Sequence, residues 1–81
     1  MITSSQIRAA RALLGWSGAE LSRKSGIGSA TIQRIEVMDG VPSGRISSLN
    51  AIRNALEAAG IEFIGSPEDR PGVRLSKPRE D

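Results

Sequence analysis

The stretch from Gly18 to Glu36, GAELSRKSGIGSATIQRIE, decides how the chain is read. Two runs of helix-forming residues flank Gly26-Ile27-Gly28. A glycine there supplies the left-handed backbone that closes one helix and turns steeply into the next. Leu21 before the turn and Ile27, Ile32 and Ile35 after it stand at the offsets that anchor two crossing helices. Beyond the turn, the only large side chains not needed for a core are Gln33 and Arg34. The helix therefore has an outer face that the core does not need.

Working outward, Ser17-Gly18-Ala19-Glu20 has the form of a capping box that opens a helix over about 18–25. Upstream, Thr3-Ser4-Ser5-Gln6 has the same form, and Ile7, Ala10 and Leu14 recur at helical spacing behind it. The first helix is expected over about 4–14, with Gly15 as its stop and Trp16 folded back over the core. Gly28 or Ser29 caps a third helix over about 29–38. Asp39 to Gly44 is dense in turn formers and reads as a loop. Ile46, Leu49, Ile52 and Leu56 restore the helical period to about residue 59, where Gly60 ends it.

After Gly60 the period shortens. Ile61-Glu62-Phe63-Ile64 and Val73-Arg74-Leu75 read as the arms of a β-hairpin around a Gly/Pro loop, Gly65 to Gly72. An isolated hairpin is marginal in water, so it packs on the helices or pairs with a second copy. The expected organisation is a mainly α unit of four helices over 1–60, a hairpin over 61–75 and a flexible tail over 76–81.

The 81 residues include no cysteine and no histidine. Disulfides, thiolate nucleophiles, the usual zinc ligands and the usual general base are therefore missing, and the serines are left as ordinary hydroxyls. Neither an enzyme, a cofactor nor a metal site is expected. No apolar run approaches the roughly 20 residues that span a bilayer, and the first residues lack a signal peptide's pattern. A cytoplasmic chain that does not enter a membrane is expected. Net charge is +2, unevenly placed. Residues 1–35 hold Arg8, Arg11, Arg23, Lys24 and Arg34 against Glu20, whereas residues 36–66 are acidic on balance. That asymmetry fits one face meeting a polyanion, and it also fits ordinary charge scatter.

The run RALLGWSGAELSRKSGIGSATIQRIE resembles the lambda-repressor-like, Cro-type helix-turn-helix domains of the XRE family, over Gln6 to about Leu56. The resemblance rests on the Leu-Gly bend, Ser-x-x-Glu-Leu, Gly-Ile at the turn and Thr-Ile-x-x-Ile-Glu. It implies that the third helix lies in the DNA major groove while the second crosses the phosphate backbone. It also implies that Arg11 and Glu36 form a structural bridge. By match to the family, Ser29, Ala30 and Arg34 meet base edges, and Gln33 joins them on the outward face. Arg34 suits guanine and Gln33 adenine, both bidentate, and Ala30 suits a thymine methyl. A plain solvated surface is the competing reading for Gln33 and Arg34.

Phosphate contacts are expected from the start of the second helix, Ser17 and Gly18, and from Thr31 and Arg45. For Thr31 a local backbone bond competes, and for Arg45 plain solvation. Many members of the family carry a phosphate-clamping glutamine where this chain has Gly18. They also carry a small alanine where it has Ser22, which packing tolerates if the hydroxyl bonds back into its own helix.

Specific binders of this kind usually act as dimers, and Ile61, Phe63, Ile64, Val73 and Leu75 are the expected dimerisation residues. Covering the end of the fourth helix is the competing role for the hairpin. The resulting expectation is a Cro-like repressor that binds double-stranded DNA as a homodimer on a near-palindromic operator. No small-molecule effector is evident. The rival is a protein-interaction module, an antitoxin or anti-activator, on the same scaffold.

Overall fold

A computed structural model describes residues 1–76; the tail expected over 76–81 lies, beyond Ser76, outside the described residues. Four helices, α1 (Ser4–Leu14), α2 (Gly18–Ser25), α3 (Ser29–Glu36) and α4 (Ile46–Ala58), precede two antiparallel strands, β1 (Ile61–Ser66) and β2 (Asp69–Leu75). The mainly α class with a C-terminal hairpin is the architecture expected from the periodicities. Among the described residues no helix is long and apolar enough to cross a membrane.

Local chemistry accounts for the helix boundaries. Thr3 caps α1 with a complete box: its hydroxyl accepts from the Gln6 N–H at 3.1 Å, and its own N–H donates to Gln6 Oε1 at 2.8 Å. Ile2 and Ile7, one residue before the cap and four after it, are both buried in the core, the placement of a hydrophobic staple. At α2 only the forward half of the second box forms. Ser17 Oγ accepts from the Glu20 N–H at 3.0 Å, while the Glu20 carboxylate turns to Arg23. Gly15 (φ 70°) and Gly26 (φ 76°) close α1 and α2 in the left-handed conformation.

The core comprises Ile2, Ile7, Ala10 and Leu14 from the N-terminal segment, Leu21 from α2, Ile32 and Ile35 from α3, Ile52 and Leu56 from α4, and Ile61 from β1. A helix as short as α3 does not hold in water by itself, so burying Ile32 and Ile35 is what keeps it formed. It ends at Glu36, two residues before the expected Met38, where side chains of α1 bond its last two carbonyls.

The hairpin differs from expectation in extent. The strands run on through most of the segment read as a loop, leaving only Pro67 and Glu68 as the turn. The register shifts between Ile64 and Ser66, a bulge at Gly65 with φ 75°. A Cβ at Gly65 would meet the Arg70 carbonyl oxygen at 2.4 Å, so only glycine fits. The hairpin lies chiefly against α1, and β1 also touches α4. Gln6 joins it to α1, with Nε2 donating to the Ile64 carbonyl at 3.2 Å and the Gly72 carbonyl at 2.8 Å. One amide thus completes a helix cap and holds both strands. Phe63, Val73 and Leu75 pack against the core, and the Arg53 guanidinium sits 5.8 Å from the centre of the Phe63 ring.

Candidate nucleic-acid interface

Gly26 ends α2, and Gly28 starts α3 with extended backbone and no side-chain cap. Between them Ile27 packs against the core. Its carbonyl accepts from Ser22 Oγ at 2.6 Å, and its N–H donates to Ser25 Oγ at 3.2 Å. Ser22 therefore reaches across the turn rather than back into its own helix. The hydroxyl that stands where the family often has alanine is a strut holding α3 against α2.

Because Ile32 and Ile35 are fixed inward, Ser29, Ala30, Gln33 and Arg34 are all exposed, and Thr31 is half-buried. The four residues expected to read bases thus share one open face. Arg34 leans toward the following loop: a Cβ built on Gly44 would lie 4.0 Å from its Nη2.

At the start of α2, Ser17 is exposed and its hydroxyl oxygen already accepts one bond, leaving its proton available to another acceptor. Gly18 has nothing within 4 Å of the position a Cβ would take. Arg45 is the exposed N-cap of α4 and makes no side-chain cap bond. Lys24 stands 5.8 Å from the Trp16 ring centre, and Arg23 is held by Glu20 at 2.6 Å. The hydrogen bond from Arg23 holds the Glu20 carboxyl below its ordinary pKa, and the reciprocal bond raises that of Arg23.

The bridge implied for Arg11 and Glu36 is present: Nε to Oε2 is 3.0 Å and Nη2 to Oε1 is 2.9 Å, while Nη1 donates to the Trp16 carbonyl at 3.1 Å. A helix pair with this glycine turn, steered by an ion pair from α1, is matched by a family model described as Helix-turn-helix over residues 7–49, more than half of the chain. The chain belongs to the Cro- and lambda-repressor-like, XRE-type helix-turn-helix family. Comparison with curated proteins gave no match.

This helix-turn-helix family is one of DNA-binding regulatory domains rather than enzymes. Its matched span covers α1 from Ile7 onward, α2, α3 and the start of α4, so it takes in Ser17, Gly18, Ser29, Ala30, Thr31, Gln33, Arg34 and Arg45. The hairpin lies beyond it.

Among the residues expected to dimerise, Ile61 is buried in its own core, whereas Ile64 is 38% exposed and Phe63, Val73 and Leu75 are half-buried. Sequence reasoning missed Ser4, Gln6 and Arg8 as structural ties. In the sequence Ser4 and Gln6 show only as parts of a cap. Their second partners lie on segments that no local pattern connects to α1.

Proposed function

We propose that this helix-turn-helix protein is a sequence-specific transcriptional regulator, a Cro-like repressor that occupies a near-palindromic operator as a homodimer. One observation carries the reading: α3 is anchored by Ile32 and Ile35 and turns Ser29, Ala30, Gln33 and Arg34 together toward solvent. Such a helix enters the major groove with donors that match base edges. Ser17, Gly18, Thr31 and Arg45 supply phosphate contacts around it. Repression follows from occupying promoter DNA.

Dimerisation through the hairpin is supported by a sheet of only two strands among the described residues, neither of which pairs with a further strand, and by the exposure of Ile64. Two copies joined there would offer two recognition helices to half-sites about one helical turn apart. The deciding experiment is binding to the DNA upstream of the protein's own gene at two salt concentrations. A repressor prefers one footprint and weakens steeply with salt.

A protein-interaction module, such as an antitoxin or anti-activator, is favoured by one feature. An apolar cleft of about 310 Å³ opens between the N-terminal segment, the loop after α3 and α4, flanked by exposed Met1 and Ile46. Feeble, sequence-blind DNA binding in the same experiment would favour that reading.

A further inference from the structure

The C-terminal end of α3 is built unlike those of α1 and α2. Those helices close on left-handed glycines, whereas α3 passes into Val37 with φ −93° and ψ −4°. Its last two carbonyls are each also bonded from outside the helix. Ser4 Oγ, fully buried on α1, donates to the Ile35 carbonyl at 2.7 Å. Arg8 Nη1 donates to the Glu36 carbonyl, and Arg8 Nη2 is steadied by Ser5 Oγ at 3.0 Å. The Ser4 N–H holds the loop just beyond, donating to the Gly40 carbonyl at 2.9 Å. The positive charges of Arg8 and Arg11 both meet the end of α3 where its dipole is negative.

We propose that Ser4 and Arg8 are positioning residues for base readout, setting the height and tilt of α3 in the groove without touching DNA. The inference rests on the DNA-reading role proposed above. Gln33 and Arg34 immediately precede the two carbonyls that Ser4 and Arg8 hold, so a shift of that terminus moves the side chains with the richest hydrogen-bonding capacity. Bidentate contacts to a base tolerate little misplacement, and a supporting shell governs how well such groups are aimed. Of the phosphate contacts proposed above, Ser17, Gly18 and Arg45 lie outside α3 and Thr31 sits in its first turn, so a shift of the C-terminal end of α3 moves them little. Loss of the clamp therefore lowers discrimination while leaving sequence-blind affinity intact.

The test uses the full chain and its Arg8→Ala, Arg8→Lys and Ser4→Ala variants. Each is selected against a pool of duplexes randomised over two half-sites, then titrated with the winning duplex and a scrambled one at two salt concentrations. A thermal melt accompanies each variant. Arg8→Ala is expected to lose about tenfold in affinity for the winning duplex, with scrambled-duplex affinity and salt slope unchanged. Arg8→Lys is expected to recover much of the loss, since an ammonium still donates to the Glu36 carbonyl.

Equal weakening on both duplexes, with a salt slope smaller by about one, would make Arg8 a phosphate contact and overturn the proposal. So would an unchanged ratio between the duplexes. Should Arg8→Ala fail to melt cooperatively, Ser4→Ala decides by the same ratio, because the Ile35 carbonyl keeps its bond from the Met38 N–H at 3.3 Å. A wild-type chain that selects no sequence overturns the DNA-reading assignment itself. A wild type that selects one, with variants that select it equally well, overturns only the clamp.

Discussion

Arg11 on α1 and Glu36 at the end of α3 are joined by two parallel hydrogen bonds of 3.0 and 2.9 Å, and the guanidinium also holds the Trp16 carbonyl. Glu36 is 7% exposed, so its charge has lost most of its water and depends on this partner. Arg11→Met is expected to destabilise the fold by about 3 kcal/mol, the lower end for breaking a buried pair. The double replacement of both residues by methionine is expected to recover much of that loss. Chemical denaturation of the two variants checks both statements.

The proposed recognition face and the proposed phosphate contacts separate by substitution. Arg34→Ala is expected to relax preference at one base position in each half-site, at a cost of about 1 to 3 kcal/mol on the preferred sequence. Arg45→Ala is expected to weaken all sequences alike and reduce the salt slope by about one. Selection from randomised duplexes and a salt titration read the two effects independently.

Gly18 marks where this chain lacks the clamping side chain common in its family, and the space around it is open. Gly18→Gln is therefore expected to fold normally and add one amide donor beside the start of α2. Binding should tighten about fivefold on specific and scrambled duplexes together, equivalent to roughly 1 kcal/mol for one hydrogen bond. Tightening confined to the specific duplex would place residue 18 against bases rather than phosphates.

Much of the fold was legible because its signals are local. The Thr3 cap, the glycine stops at Gly15 and Gly26, and the spacing of Ile32 and Ile35 each act within a few residues, where sequence patterns carry information. The hairpin was legible in kind but not in extent, since the bulge at Gly65 lets strands continue through residues that read as turn formers. The outward placement of Ser29, Ala30, Gln33 and Arg34 followed from the inward placement of their neighbours. The ties made by Ser4, Gln6 and Arg8 were not legible, because their partners lie 28 to 66 positions away. The apolar residue at position 2, one before a cap whose fourth residue is Ile7, was a signal that could have found the staple.

Ser22 offers a test of the turn itself. Removing its hydroxyl takes the 2.6 Å bond from the Ile27 carbonyl, and Ser22→Ala is expected to cost about 1 kcal/mol of stability. An unchanged melting temperature would show that the turn holds without it.

Glu20 gives a pH signature at the start of the same helix. Its hydrogen bond from Arg23 depresses the carboxyl pKa, so the pair's stabilisation is present above the unfolded-state value and is lost as pH falls through the folded-state one. A side-chain NMR titration is expected to place Glu20 below an ordinary glutamate, and Arg23→Gln is expected to bring it back up.

The most direct measurement is amide-shift mapping of the protein with a duplex from its own upstream region. Perturbations concentrated on Ser29 to Arg34, with a second group at Ser17, Gly18 and Arg45, are the expected result. A map that leaves Ser29 to Arg34 unperturbed, while the cleft around Met1 and Ile46 or the hairpin responds, would contradict the assignment of α3 as the helix that reads DNA.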